Sequence, residues 1–242
     1  MLHNGGMSYR EHPPPPALAP WLECTWERTG DAGAPVRVLP DGCIDVVWME
    51  SDGTRLVGAN TTAFVVAPAP GTRVVGARMR PGGAPALLGI DAEQARDDRP
   101  ELRAVLGDDG ARLAAALDGA ADPESVLRTW LDARRLRARP PDPLVAAAVA
   151  RLAVRADGVG RLGDALGVSE RGLRRRMTAA VGYGPKRLAR VLRLRRALAA
   201  AAPGTELAEL AFGAGYADQA HFSNDCRELA GVPPSALVAR GA

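Results

Sequence analysis

Lysine is nearly missing from this 242-residue chain: Lys186 is the single one among 31 basic side chains, and the rest are arginine. Cysteine is scarce as well. Cys24, Cys43 and Cys226 are too few and too scattered for a disulfide framework, and none sits in the Cys-x-x-Cys spacing that holds a structural zinc. No run of eighteen apolar residues occurs, which excludes a membrane-spanning helix. The opening MLHNGGMSYREHPPPP lacks the apolar segment a secretory leader needs, so a cytoplasmic location is expected. No P-loop, Gly-x-Ser-x-Gly or His-Glu-x-x-His is present. Pro81-Gly82-Gly83 lacks the Lys-Ser/Thr that follows in a phosphate cradle. Neither catalysis, nor a metal, nor a resident cofactor is expected.

Hydrophobic residues are plentiful, at 47%, and charge is unevenly placed. Residues 140–242 hold 15 basic and 9 acidic side chains, whereas residues 1–139 hold 16 and 19. A basic C-terminal part joined to a mildly acidic N-terminal part points to a polyanionic partner for one half only. Arginine content alone says less, because an alanine- and arginine-rich, lysine-poor chain also reflects genomic base bias.

The pattern along the chain divides in the same place. Residues 1–20 are proline-rich and read as a wrapping arm. From 21 to 80 the pattern is strand-like, with short strands over 36–39, 44–48, 55–58, 63–66 and 73–80 and a hairpin turn at Ser51-Asp52-Gly53. That spacing predicts a small barrel or sandwich. Leu102, Val105, Leu106, Leu113 and Leu117, then Val126, Leu127, Trp130 and Leu131, recur at helical spacing. Residues 134–143 are basic and proline-rich and read as a linker. The expected fold is α+β. A domain over 1–139 is β-rich in 21–80 and helical in 84–133, and an all-α domain follows over 140–242.

The all-α part contains an internal repeat. LGDALGV (162–168) matches LAFGAGY (210–216) at an offset of 48. After one added residue, Leu173 pairs with Phe222, Met177 with Cys226, Gly182 with Gly231 and Pro185 with Pro234. Each copy has a mechanical reading. Gly167 or Gly215 supplies the positive φ that stops a first helix. Gly163 or Ala211 is small enough for a close crossing. Ser169 or Asp218 caps a second helix, whose apolar residues four apart pack inward. That helix stops at Gly182 or Gly231. This is the helix-turn-helix plan, twice.

The stretch GYADQAHFSNDCRELAGVPPSAL (215–237) resembles the signature of the AraC/XylS family of transcriptional regulators, and LGDALGVSERGLRRRMTAAVGYGPKRL (162–188) resembles that family's first helix-turn-helix unit. The resemblance covers roughly residues 143–240. It implies two recognition helices joined by a long helix from about 185 to 201, with Leu188, Val191, Leu192, Leu194 and Leu198 as its buried stripes. Gly163 departs from the family's usual alanine, at roughly 1 kcal/mol of helix stability. RVLPDGCIDVVW (37–48) and GARMRPGGAPALLGI (76–90) resemble an uncharacterised domain fused to such units in bacteria. The resemblance further implies double-stranded DNA and RNA polymerase as partners, activation as an output, and an N-terminal half that senses a small-molecule effector or mediates homodimerisation.

In a helix-turn-helix the start of the second helix meets base edges in the major groove. The outward positions of the first unit are Arg171, Arg174 and Arg175, suited to guanine O6/N7. Arg176 is expected to pair with Glu170 or phosphate. Those of the second unit are Gln219, Ala220, Ser223 and Asn224, with His221 adjacent; Gln219 and Asn224 suit adenine. Ser169, Lys186, Arg187, Arg190 and Arg227 are assigned to phosphates, which position a protein without reading sequence. Arg193, Arg195 and Arg196 read as a solvated face. Asp225 would repel phosphate if it faced DNA, so the first unit is expected to dominate affinity while the second sets register.

Two other readings compete. A sensor or interaction module with weak or vestigial DNA binding is compatible with the near-neutral second unit. An alkylated-DNA repair protein requires four thiolates around zinc, and the chain has three cysteines. Cys43, flanked by Asp41 and Asp45, is a candidate sensing thiol. Trp21, Trp26 and Trp48 are candidates for a ligand pocket or, more ordinarily, for core.

Overall fold

The computed structural model of the chain describes residues 7–30, 35–154 and 159–238. Among the described residues seven strands come first: β1 (Met7–His12), β2 (Leu22–Gly30), β3 (Val36–Val38), β4 (Ile44–Met49), β5 (Gly53–Gly58), β6 (Phe64–Val66) and β7 (Arg73–Met79). Five of them form an antiparallel sheet in the order β1-β2-β7-β4-β5, and β3 pairs with β6 in a separate ribbon. Alternation decides which way each side chain faces. Ile44, Val46 and Trp48 on β4 and Leu56 on β5 are buried on one face, against helices. Asp45, Val47, Met49, Arg55 and Val57 point the other way, into a cavity of about 910 Å³ that the β3–β6 ribbon also lines. This α+β arrangement fits the sandwich-like expectation better than a closed barrel.

The N-terminal arm departs from expectation. Met7–His12 is an edge strand in full register with β2. Its pairing is nonlocal, and the prolines at 13–16 that suggested an arm only end it.

The helices are α1 (Gly83–Leu88), α2 (Leu102–Leu106), α3 (Asp108–Asp118), α4 (Pro123–Arg135), α5 (Pro143–Val154), α6 (Val159–Ala165), α7 (Glu170–Val181), α8 (Pro185–Ala199), α9 (Leu207–Gly213), α10 (Gln219–Asp225) and α11 (Pro234–Val238). A wider, π-type turn over Cys226–Ala230 extends α10. Arg134 and Arg135, read as linker, belong to the last turn of α4. Arg134 pairs with Asp109, donates to the Leu88 carbonyl and stacks over Trp130.

The buried apolar residues fall into two clusters. The larger runs from Leu22, Val46 and Leu56 through Leu131 to Val145, Leu173, Met177 and Leu188, so α5, α6 and α7 share the core of the sheet domain. The smaller joins Val191, Leu194 and Ala197 to Leu210, Phe222, Cys226, Leu229 and Leu237. Helix α8 serves both: Leu188 and Leu192 face one cluster, Val191 and Leu194 the other. Each fully buried side chain of this size contributes about 1.5–3 kcal/mol, so both attachments are substantial.

Candidate nucleic-acid interface

The two turns are built alike, down to single hydrogen bonds. After α6, Gly167 takes φ 65° and the Val168 N–H reaches back to the Gly163 carbonyl at 3.0 Å. After α9, Gly215 takes φ 84° and the Tyr216 N–H reaches the Ala211 carbonyl at 2.9 Å. Both are the wide reverse bond that follows a left-handed C-terminal residue. The small residue is needed because a Cβ on Gly163 would lie 2.8 Å from the Val168 carbonyl oxygen, in the turn itself. Ser169 Oγ then accepts from the Gly172 N–H at 3.1 Å, and Asp218 Oδ1 accepts from the His221 N–H at 2.7 Å. Both second helices stop on left-handed glycines, Gly182 and Gly231. Pro185 and Pro234 open the next helices, where a missing N–H costs nothing.

The faces presented to solvent differ. Arg171, Arg174 and Arg175 lie one turn apart on α7 and are exposed. Among the described residues, none of the three has a carboxylate within ion-pair distance. Arg176 is engaged instead, with Asp142 at 2.8 Å. On α10, Gln219, Ala220 and Asn224 are exposed, and Asn224 accepts weakly from Arg227 at 3.4 Å. Ser223 is half-buried, and His221 turns its ring edge toward Tyr216. Exposed Lys186 lies 3.9 Å from Glu170.

The arginines of α8 do other work than expected. Asp225 does not face outward: it is 2% exposed and lies against Arg190, at 2.7 Å, with Arg193 at 3.6 Å. Arg190 also holds Glu228 at 2.5 Å, and Arg187 reaches the same carboxylate at 2.9 Å. These bonds hold the Glu228 carboxyl down at about 2, the hydrogen bond from Arg190 contributing most. Two side chains assigned to phosphates, Arg187 and Arg190, are thus already neutralised inside the protein. Arg193 stacks over Tyr216. Arg196 donates to the Leu152 and Ala153 carbonyls at the end of α5 and to the Ala214 carbonyl after α9, so one guanidinium joins α5 to the second unit. Arg195 lines the cavity. None of the three is a plain solvated face.

The sheet domain holds the far end of each recognition helix. Arg96 donates to the Gly182 carbonyl at 3.1 Å, and Arg37 donates to the Ala230 carbonyl at 2.9 Å. The Ala63 N–H donates to the Leu229 carbonyl at 2.7 Å. A positive charge at a helix C-terminus also meets the negative end of its dipole. Sequence reading missed Arg37 and Arg96, and no local pattern marks them, since their partners lie 193 and 86 residues away.

All three cysteines are buried and free. Burial first, then neighbouring carboxylates, pushes the Cys43 thiol well up, which makes it a poor nucleophile and a poor sensing thiol. Among the described residues, no group of three His, Cys, Asp or Glu is arranged for a metal. Of the three tryptophans considered for a pocket, only Trp26 lines the cavity. Trp48 donates to Asp118 and Trp21 to the Arg139 carbonyl.

Comparison with known families gives two matches. Residues 10–101 match a domain of unknown function, DUF6597, and residues 162–240 match a helix-turn-helix domain. No curated protein matches the chain. An AraC-type DNA-binding domain-containing transcriptional regulator from Chromobacterium violaceum is similar at 23% identity over 41% of this chain and 93% of its own, with a TM-score of 0.39. A probable AraC family regulator from Rhodopseudomonas palustris gives 24%, 41%, 98% and 0.36 in the same terms. Unsaturated fatty acid-bound ToxT from Vibrio cholerae gives 9%, 100%, 98% and 0.46.

Proposed function

We propose that this chain, whose DUF6597 match lies ahead of a helix-turn-helix domain, is a DNA-binding transcriptional regulator of the AraC family that reads two successive major grooves with two unequal recognition helices. The observation that carries the reading is the row of exposed Arg171, Arg174 and Arg175 on α7, against the nearly neutral Gln219, Ala220 and Asn224 on α10. An arginine paired in two hydrogen bonds to guanine discriminates by about 1–3 kcal/mol, so the half-site read by α7 is expected to contain guanine. Gln219 and Asn224 suit adenine and add less. Ser169, Lys186 and Arg227 remain available to phosphates. Two recognition helices on one chain suit half-sites about one turn, roughly 34 Å, apart, and a monomer then covers a bipartite operator.

The N-terminal domain modulates this binding. Arg96 and Arg37, each donating to the end of one recognition helix, support that role, because a change in the sheet domain alters the seat of both. Selection of bound sequences from a random DNA pool, followed by footprinting on the recovered site, tests the reading. Two protected segments on one face of the duplex, one of them guanine-rich, are expected. A single short footprint contradicts it.

A further inference from the structure

The basic segment between the two domains belongs to neither recognition helix. Its first two arginines, Arg134 and Arg135, are paired with Asp109 and Asp132. Arg137 and Arg139 are exposed, and among the described residues neither has a carboxylate within ion-pair distance. Ala138, between them, packs against the large core. The backbone here is held while both guanidinium groups meet solvent. The Arg139 N–H donates to the Ala86 carbonyl at 3.1 Å, and the Arg139 carbonyl accepts from Trp21 Nε1 at 2.8 Å. Pro140 and Pro141 then stiffen the chain as far as Asp142.

Asp142 carries the segment to the first recognition helix. It accepts from the Leu144 N–H at 2.9 Å, at the start of α5, and pairs with Arg176 of α7 at 2.8 Å. Arg139 stands three residues earlier, so at most about 10–11 Å of chain separates it from that contact. Arg176 marks one flank of α7. The other flank meets the start of α8, where a Cβ on Gly184 would lie 3.6 Å from Arg174 Cγ. Residues 174 and 176 are about 200° apart around a helix, so the segment and α8 lie on opposite sides of Arg171 and Arg175. In one three-helix variant of the helix-turn-helix, a basic arm ahead of the first helix enters the minor groove next to the major groove that the recognition helix fills. Residues 137–139 followed by α5, α6 and α7 have that order.

We propose that residues 137–139 are such an arm, with Arg137 and Arg139 entering the minor groove at the outer end of the half-site read by α7, away from the half-site read by α10. A·T pairs are preferred there, because a narrow minor groove concentrates negative potential and G·C adds an amino group to its floor. The backbone of the arm is bonded to α1 and to Trp21, so the sheet domain itself meets DNA through it. The inference rests on the reading of α7 given above and lengthens the operator beyond what two recognition helices require.

Competition titrations of the full chain test it, using the selected operator with both half-sites held constant and the outer flank varied. Flanks of A·T, G·C and I·C are compared; I·C shows the minor-groove edge of A·T and the major-groove edge of G·C. The A·T and I·C flanks are expected to bind alike, and roughly tenfold tighter than G·C. Arg137→Gln with Arg139→Gln is expected to bring all three flanks to the G·C level without changing the thermal midpoint. I·C binding like G·C overturns the minor-groove contact. So does an equal loss on all three flanks in the double variant, the mark of phosphate contact alone. Specific binding of the half-sites with no flank preference overturns the arm and leaves the reading of α7 intact. Failure to bind any half-site specifically overturns that reading and the arm with it.

Discussion

The two helix-turn-helix units share every local device and differ in what holds them. Both turn on a left-handed glycine with the same reverse hydrogen bond, both cap with a short polar side chain, and both stop on glycine. The first is fused to the sheet domain through a continuous apolar core, in which Leu173 and Met177 are fully buried beside Val145 and Leu188. The second has its own small core, shared with Val191, Leu194 and Ala197 of α8 and reinforced by Arg190 on Asp225 and Glu228, and it meets the sheet domain through polar bonds, Arg37 to the Ala230 carbonyl and the Ala63 N–H to the Leu229 carbonyl. Apolar fusion sets a unit rigidly; a polar tether can loosen without unfolding the rest. On the proposed function, the sequence repeat would serve as one module in two mechanical roles, a fixed reader with a positive face and an adjustable one with a neutral face.

The comparison breaks most visibly at DNA. Arg174→Ala with Arg175→Ala is expected to remove about 2–4 kcal/mol of specific affinity, roughly 30- to 1000-fold, measured by titration of a labelled operator. Gln219→Ala with Asn224→Ala is expected to lose less than tenfold. Equal losses would mean that the exposed faces do not set the balance.

Next in size is the polar reinforcement of the second unit. Arg190→Ala leaves a buried carboxylate with Arg193 as its remaining partner, and is expected to destabilise the second unit by about 3 kcal/mol. Hydrogen exchange should then accelerate in α9, α10 and α11 while α7 keeps its protection. Uniform loss of protection would show that the second unit does not open by itself.

Glycine-to-alanine changes at equivalent stops give a smaller and more pointed contrast. Both sites have positive φ, which costs alanine about 1 kcal/mol. At Gly182 the new Cβ would also meet the Ala59 Cβ at 2.7 Å and the Ala92 carbonyl oxygen at 3.1 Å, whereas at Gly231 the nearest atom is a flexible Arg37 nitrogen at 3.4 Å. Gly182→Ala is therefore expected to destabilise the fold more than Gly231→Ala, by about 1–3 kcal/mol of added overpacking, read as a clearly lower Tm.

Much of this contrast was legible in the sequence. The caps, the glycine stops, the inward pairs Leu173/Met177 and Phe222/Cys226 and the exposed row on α7 follow from local periodicity, and local physics decides them. The roles of Asp225, Arg190, Arg193 and Arg196 were not legible. A charge on a helix reads as solvated until its neighbour is known, and these neighbours come from other helices. The same reason hides β1, the β3–β6 pairing and the cavity. One signal for the cavity was present: Asp45, Arg55 and Arg78 interrupt apolar strands, and β4 and β5 place the first two beside Val47 and Val57 on one face.

The smallest expected effect is on pH. The Glu228 carboxyl, held at about 2 by Arg190 and Arg187, is depressed from its ordinary value near 4.5. A depressed carboxylate contributes stability that is full above the unfolded value and fades as pH falls through that window, from about 4.5 to 2. The side chain is half exposed, so screening keeps the effect modest. Acid should loosen α11 and the Cys226–Ala230 turn before α7, as read by exchange at stepped pH.

The most direct test of inequality between the units is the affinity of the full chain for a bipartite site with one half scrambled at a time. Scrambling the half read by α7 is predicted to weaken binding by roughly 100-fold or more, and scrambling the half read by α10 by roughly 10-fold or less. Equal losses, or a larger loss at the α10 half, would contradict the account.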